Sequence, residues 1–310
     1  MRVGGNQQAL RSFVAGNEAK VRGRWNRHNR DAAATITQAD LAVALRFGDL
    51  PAEAYERIAE ADTLFVTRQL KPMWLTGAQA GGQSATAGIR RAGKSWLDNW
   101  RYSPTGTLIE RWIRHRAGAM IAQWGTARQG ALRTVVRHAI RAIPLQTGEQ
   151  PSIYYIAELI KDAFGLTELQ AQWVTSYRDK VWKALTSDPK TSTIPPIKLQ
   201  AIVDKKARLY QYSMTQMRAQ TIARTETAAA FNQGQFAAVV EARDEGLFGK
   251  DATLFKVWSA ASDCCDECQA LDGMRIPIDT PFGEHGAGGA DGDTPPLHPN
   301  CRCTLYYETE

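Results

Sequence analysis

The chain has 310 residues and a formal net charge of +6, and 44% of its residues are hydrophobic and 23% charged. This composition excludes a fully disordered or collagen-like chain, and the length suits about two domains of roughly 150 residues each. No apolar run approaches the ~18 residues of a membrane-spanning helix, and the first six residues lack the apolar core of a secretory signal. We therefore expect an intracellular soluble protein without a membrane partner.

Charge is segregated along the chain. Residues 1–30 carry a net +6 and residues 101–141 a net +7, whereas residues 243–310 carry a net −8. A basic front and an acidic back predict two surfaces with different partners, and the basic surface suits nucleic acid. The alternative interpretation is that these runs are solvated helix faces.

The first 185 residues carry the signals of helices. Thr37–Asp40 resembles a capping box, and apolar residues at helical spacing predict a helix over residues 51–70 that follows the cap signal Asp49. Residues 76–93 are rich in Gly, Ala and Ser and predict a flexible loop. A long amphipathic helix is expected over residues 105–142, and Pro144 is expected to end it.

Residues 152–185 predict a helical hairpin, in which Gly165 ends the first helix and Thr167 caps the second. The polar, proline-rich residues 186–196 form the best linker in the chain. Helix resumes over residues 197–246. Three short extended pieces are expected next, with a large loop at 283–296. They are residues 254–259, 274–278 and 304–307.

These patterns predict a mainly α fold in two parts. Residues 1–185 form an α-helical N-terminal region with basic segments, and residues 186–196 form the linker. Residues 197–310 form a small α+β module that zinc stabilises through a cluster of cysteine and histidine residues.

All five cysteines lie in the last 47 residues, so they predict a site. Cys265 and Cys268 form a Cys-x2-Cys turn, the spacing that zinc prefers, and Cys301 and Cys303 supply the second pair. His298 replaces one cysteine or lies in the outer shell, and the fifth cysteine, Cys264, is expected to be spare. The alternatives are a reduced, metal-free cluster or disulfides between the two pairs.

Four such ligands close the coordination sphere, which is typical of structural rather than catalytic zinc. A catalytic site would need an open position and an acid–base partner. Glu267, inside the Cys-x2-Cys turn, is expected to face solvent instead. We therefore predict no catalytic residues and no enzyme.

The helix after the linker contains Arg224 and Glu226 within Ala-Arg-Thr-Glu-Thr. Glu226 shares a helical face with Ile222 and Ala230, so its carboxylate needs a cationic or N–H partner. We predict a polar clamp between this helix and the cysteine-bearing segment, with Arg224 pairing to the acidic C-terminal half. An Arg/Glu pair that binds a nucleotide for ADP-ribosyl transfer is the enzymatic alternative, but the second glutamate it would want is absent.

Several ordered motifs together resemble one family. They are residues 223–227 (Ala-Arg-Thr-Glu-Thr) with Asn232 and Gly234, residues 256–260 (Lys-Val-Trp-Ser-Ala), residues 265–273 around Cys265 and Cys268, and residues 296–303 (Pro-Leu-His-Pro-Asn-Cys-Arg-Cys). The combination, over about residues 160–305, is similar to the phage Mu F-like minor head proteins of the head-morphogenesis family. Cys264 and the Gly/Asp-rich stretch 283–294 depart from the family pattern.

This resemblance implies a minor capsid protein, associated with the portal vertex and acting in head morphogenesis and in DNA packaging or ejection. Its expected partners are the portal and other head proteins, and its location is the virion after assembly in the host cytoplasm. Non-specific contacts with packaged DNA suit the basic half, with five arginines as candidates: Arg111, Arg114, Arg116, Arg133 and Arg137. The alternative is a toxin-like modifying enzyme, an ADP-ribosyltransferase or nuclease, built on the C-terminal module.

Overall fold

The computed structural model describes residues 2–4, 7–91, 102–104, 106–249, 252–282 and 293–310, with the backbone alone at 2–4 and 89–91. It is 72% helical, with a small antiparallel sheet, as the composition and periodicity predict. The helices of the described residues are α1 (Gln7–Ala33), α2 (Gln38–Phe47), α3 (Ala52–Phe65), α4 (Lys71–Arg91), α5 (Thr107–Thr147), α6 (Ile153–Ala163), α7 (Glu168–Ser187), α8 (Pro196–Asp244) and α9 (Asp266–Ala270). A π-helical turn, Val66–Leu70, joins α3 to α4.

The sheet has four described strands: β1 (Arg2–Gly4), β2 (Leu254–Ser259), β3 (Arg275–Pro277) and β4 (Thr304–Thr309). Their order is β1-β4-β2-β3, and every neighbouring pair is antiparallel. The three strands after residue 250 match the three predicted extended pieces. Strand β1, which pairs with β4, has no periodic signal because it is three residues long.

The described chain divides into two compact units, each assembled from separate segments. The first unit comprises residues 1–22, 67–118 and 220–310, and the second comprises residues 23–66 and 119–219. The turn at 188–195 breaks the helices where the linker is predicted, and its role as a domain boundary stays a prediction. Of the described residues, none belongs to a helix with the length and apolarity needed to cross a bilayer.

Local end signals in the second unit work as the sequence predicts. Thr37 begins α2 with a capping box, because its hydroxyl accepts from the Asp40 N–H and the Asp40 carboxylate accepts from the Thr37 N–H. Thr167 and Gln170 form the same box at the start of α7. Gly165 takes a positive φ of 95° between α6 and α7, a conformation that residues other than glycine rarely adopt.

The second unit is packed around the apolar faces of its helices. Residues of α5 form the centre of this core together with residues of α2, α3, α6 and α7 (Leu41, Ile58, Leu132, Val135, Val136, Ile156, Ile160 and Val174). Inside the same unit, the fully buried Asp62 accepts hydrogen bonds from His28, at 2.6 Å, and from Arg128, at 2.7 and 2.5 Å. These bonds compensate the burial of the carboxylate.

In the first unit, the segment predicted as a flexible loop is helix instead. Residues 76–91 belong to α4, and residues 92–93 lie outside the described part. A Cβ added at Gly81 would lie 2.8 Å from the Phe231 carbonyl carbon and closer still to its oxygen. A Cβ added at Gly234, on α8, would lie 2.5 Å from the Ala78 Cα. The small residues therefore serve close packing of two helices rather than a flexible chain.

The prediction that Pro144 ends the long helix is also wrong, since α5 continues to Thr147. Pro144 has no N–H to donate, so the helix loses one backbone hydrogen bond there. So near the helix end, the loss of that one bond does not prevent the last turn from forming. The Pro144 carbonyl itself accepts from the N–H of Gly148, whose φ of 78° ends the helix. Glycine thus provides the end signal that was assigned to proline.

Candidate metal centre

Two segments of the first unit carry the cysteines. Cys265 is the N-cap of α9 and Cys268 lies within its first turn, so the Cys-x2-Cys spacing places both on one short helical turn. Cys301 and Cys303 lie in the irregular segment that enters β4 at Thr304. Pairing of β2 with both β3 and β4 brings these segments together.

The ligand atoms form two overlapping triads among the described residues. One contains Cys265, Cys268 and His298, and the other contains Cys268, Cys301 and Cys303; within each triad the ligand atoms lie within 4.8 Å of one another. The Nε2 atom of His298 lies 3.0 Å from the Cys265 sulfur and 3.2 Å from the Cys268 sulfur. The sulfurs of Cys268 and Cys301 are 3.7 Å apart.

These separations fit a metal. A tetrahedral zinc with Zn–S near 2.3 Å and Zn–N near 2.0–2.1 Å places two sulfurs about 3.7 Å apart and sulfur and nitrogen about 3.5 Å apart. The Cys268–Cys301 distance matches the first value, and the two His298 distances are slightly shorter than the second. Thiolate and imidazole donors suit zinc among the divalent ions. The cluster could therefore bind a metal ion.

His298 is oriented as metal-binding histidines are. Its Nδ1 lies 2.8 Å from the Pro299 carbonyl oxygen, so an N–H at Nδ1 donates to that carbonyl. The other nitrogen, Nε2, is then the one that faces the thiols of Cys265 and Cys268. Although burial disfavours the imidazolium, the Pro299 carbonyl and the neighbouring thiolates raise the pKa of His298 above its usual value.

The thiols do not share one electrostatic environment. A hydrogen bond from the Cys303 thiol lowers the pKa of Cys301 to about 5, and the same bond raises the pKa of Cys303. The Cys268 backbone N–H lowers the pKa of Cys265, whereas burial raises that of Cys268. Cys264 belongs to neither triad, and its sulfur lies 3.6 Å from the Gln269 side-chain oxygen. Glu267, as expected, faces solvent.

Helix α8 holds the second ligand segment in place. The buried Asn232 donates to the Cys303 carbonyl oxygen, at 3.1 Å, and accepts from the Thr304 hydroxyl, at 2.8 Å. Asn300, at a φ of 65°, donates its backbone N–H to the Thr225 hydroxyl and its side-chain amide to Thr221. These bonds fix the backbone on both sides of Cys301.

A buried lysine supports the sheet beside the site. Lys256 of β2 is 0% exposed, and its ammonium lies 2.8 Å from the Asp293 carboxylate. The rings of Phe236 and Phe282 flank that ammonium at 5.2 and 5.3 Å. Asp293 therefore has a structural partner in the buried Lys256.

The predicted polar clamp joins other elements than expected. Glu226 is 4% exposed, and Arg116 of α5 donates to both its oxygens, at 3.0 and 2.6 Å, while the Trp74 indole donates from α4 at 3.2 Å. Arg224 donates to Glu18 of α1 at 2.7 Å. Neither contact reaches the cysteine segment, whose tie to α8 is made by neutral side chains such as Asn232. Arg116 and Glu18 are distant in sequence from Glu226 and Arg224, so the sequence pattern does not identify them as the partners.

The five arginines proposed to face DNA differ in their surroundings. Arg116 is occupied by Glu226, and Arg133 donates to Asp49 at 2.6 Å. Arg111, Arg114 and Arg137 are exposed. Only the exposed three keep their guanidinium groups available to a phosphate backbone.

Residues 170–306 match the family model described as Phage Mu protein F like protein. The match covers somewhat less than half of the chain and runs from α7 to β4, so it includes α8 and both cysteine segments. It confirms the resemblance of the motifs to that family, and it suggests a phage head morphogenesis protein of the virion that interacts with other head proteins. Neither the curated proteins nor the solved structures contain a chain that matches this one.

Proposed function

We propose that this protein is a minor head component associated with the portal vertex, and that it acts in head morphogenesis and in DNA packaging or ejection. The observation that carries the proposal is the family match over residues 170–306, which coincides with α8 and the module that it anchors. The acidic residues of that module, a net −8 over 243–310, suit docking on a protein rather than on DNA.

Zinc is the proposed ion, with Cys265, Cys268, His298 and Cys301 as its ligands. The three short separations already described link these four residues in a chain, and thiolates with an imidazole are a common zinc ligand set. Cys303 then lies beside the site as a partner of Cys301. The zinc cross-links a module with a small sheet, and in such modules metal binding contributes directly to folding.

The proposed role is structural rather than enzymatic. Four protein ligands leave zinc no open position for a water or substrate, and Arg224 and Glu226, the pair considered for nucleotide chemistry, are occupied by Glu18 and Arg116. Contacts with packaged DNA are assigned to Arg111, Arg114 and Arg137, because these arginines are exposed on α5. Such contacts would be independent of sequence and sensitive to salt.

A nonsense mutation in the phage that encodes this chain tests the head role. We expect mass spectrometry to find the protein in purified wild-type particles at a few copies per portal, and cross-linking to join it to the portal protein. Without the protein, particles should be missing, aberrant or poorly filled with DNA. Normal infectious particles that contain none of the chain would refute the proposal.

Metal analysis of the purified full-length chain tests the zinc site. We expect about one zinc per chain, lost in Cys268→Ser because Cys268 belongs to both triads. Cys264→Ser is the matched control and should retain the metal. Retention by Cys303→Ser supports the ligand set with His298, whereas loss in Cys303→Ser and retention in His298→Ala would assign the four cysteines. A folded, zinc-free wild-type protein would disprove the site.

A further inference from the structure

The second unit contains an open cleft of about 570 Å³. Its walls are residues of α1 and α8, and the end of α6 closes one side. The volume lies within the roughly 300–1,000 Å³ range of small-molecule sites. The cleft includes neither the cysteines nor the arginines of α5.

Four cations line this cleft: Arg27, Arg30, Lys161 and Arg208. Asp162 is the one acidic residue among the lining residues described, and its carboxylate is paired with Arg208 at 2.9 Å. Arg27 and Arg30 are exposed, and neither has an acidic partner in the part of the chain that the structure describes. A concave surface lined by one sign of charge focuses the field and attracts the opposite charge.

Helical spacing directs these groups into one space. Arg27 and Arg30 are three residues apart on α1, and on α8 the positions of Arg208, Gln211 and Thr215 recur at intervals of three and four. Residues at such intervals lie on one face of a helix. One face of α1 and one face of α8 therefore line the cleft together. The Asn26 amide donates to the Gln216 side-chain oxygen, at 3.2 Å, and this hydrogen bond holds α1 against α8 here.

A buried donor in the cleft wall lacks a partner. Gln211 is 3% exposed, and its side-chain Nε2 has no hydrogen-bond partner among the described residues. A buried N–H group without an acceptor costs free energy, so it is rarely left unpaired. An anionic oxygen bound in the cleft is an acceptor for that group, and it is also what Arg27 and Arg30 attract.

The cleft also offers an aromatic wall. Tyr212, next to Gln211 on α8, is 64% exposed and lines the cleft. An exposed ring beside cationic groups is suited to a ligand that joins a flat base to a phosphate, because bases stack on aromatic side chains.

We propose that this cleft binds a nucleotide unit. Its phosphate lies against Arg27 and Arg30 and accepts from Gln211, and its base stacks on Tyr212. The unit is either a free nucleotide or part of a single-stranded nucleic acid, and both present the same phosphate and base. The inference does not depend on the proposed head function, because the cleft lies in a different unit from the zinc-binding module.

Binding to the full-length chain at low salt tests the proposal with two fluorescent probes, labelled adenosine monophosphate and a labelled single-stranded oligonucleotide. Arg27→Gln/Arg30→Gln should weaken binding about tenfold or more through loss of two charge-assisted contacts. The matched control is Lys180→Gln/Lys183→Gln on α7, which removes the same charge from two exposed positions, also three residues apart, outside the cleft. A variant that retains both arginines, Gly23→Glu, adds a carboxylate at a cleft residue where a Cβ meets nothing within 4 Å. Gly125→Glu, in equally open space on α5, is its control.

Each outcome of these binding measurements either supports or refutes the proposed nucleotide site. Binding of the mononucleotide that weakens in Arg27→Gln/Arg30→Gln and in Gly23→Glu, but not in the controls, assigns a free nucleotide. The same pattern with the oligonucleotide alone assigns a unit within a strand. If neither probe binds at low salt, or if the cleft variants bind as tightly as their controls, the cleft is not a nucleotide site. Circular dichroism of every variant separates loss of binding from loss of folding.

Discussion

Replacement of Gly81 by alanine is expected to destabilise the first unit because of the close approach of α4 to α8. The added Cβ would lie 2.8 Å from the Phe231 carbonyl carbon and 3.1 Å from the Gln235 nitrogen, whereas ordinary contacts fall at 3.4–4 Å. Both neighbours are backbone atoms of a helix, so neither can rotate away. The helices must separate by about 1 Å, a gap that forfeits roughly a quarter to a half of each dispersion contact across it.

The magnitude follows from two opposing effects. Overpacking of this kind costs about 1–3 kcal/mol, and a clash with backbone belongs at the upper end of that range. Alanine recovers up to about 1 kcal/mol through its higher helix propensity. We therefore expect Gly81→Ala to lower the free energy of unfolding by about 2 kcal/mol, which corresponds to a melting temperature about 4–8 °C lower.

Gly118→Ala is the matched control for this prediction. Gly118 belongs to the same unit and to a helix, α5, but a Cβ there meets nothing within 4 Å. That variant should gain about 0.5–1 kcal/mol from helix propensity. Thermal and urea unfolding, followed by circular dichroism, measure both changes. Equal stabilisation by the two substitutions would refute the close packing of α4 against α8.

Three further predictions concern polar contacts. Glu226→Gln removes the charge that Arg116 faces, and it should lower the free energy of unfolding by about 3 kcal/mol in a denaturant titration, since an unpaired charge remains buried; an unchanged midpoint would contradict the buried pair. Burial alone raises the pKa of Asp62, but bonds from its partners hold that pKa below its usual value, so the stabilisation is present above about pH 4 and is lost as the pH falls through the lowered folded-state pKa. Melting temperatures at pH 2–7 should therefore fall more steeply for the wild type than for Asp62→Asn, and parallel curves would exclude this role. Thr37→Ala removes one half of a capping box and should cost about 1 kcal/mol by chemical denaturation, whereas a cost near zero would show that the cap adds nothing to stability.

The sequence predicts those parts of the fold that depend on neighbouring residues. The capping boxes at Thr37 and Thr167 and the positive φ of Gly165 are local, and they lie where expected. The glycines of residues 76–91 led to the wrong prediction of a flexible loop, because glycine occurs both in flexible loops and where helices pack closely. Only the position of Phe231 on α8 decides between these two uses, and it is 150 residues away from Gly81 in the sequence.

The candidate site also has features that the local sequence predicts and features that depend on residues distant in the sequence. Cys-x2-Cys spacing and the second cysteine pair predict a metal cluster, because the ligands lie in two short segments. The close approach of His298 to Cys265 depends on its bond to Pro299 and on the sheet, which spacing does not reveal. The burial of Glu226 follows from its helical face, but its partner does not, since Arg116 is 110 residues away.

The assembly of the first unit from separate segments has a consequence for synthesis of the protein on the ribosome. The side-chain amide of Gln7 donates to the Ser259 carbonyl oxygen across 252 positions of sequence, and at about 5–20 residues per second that interval takes about 13–50 s to translate. For most of this time the apolar face of α1, which includes Leu10 and Phe13, has none of its α8 partners, because Ala228 and Phe231 are more than 200 positions later in the sequence. Nascent chains should therefore depend on chaperones until α8 and the last strands emerge.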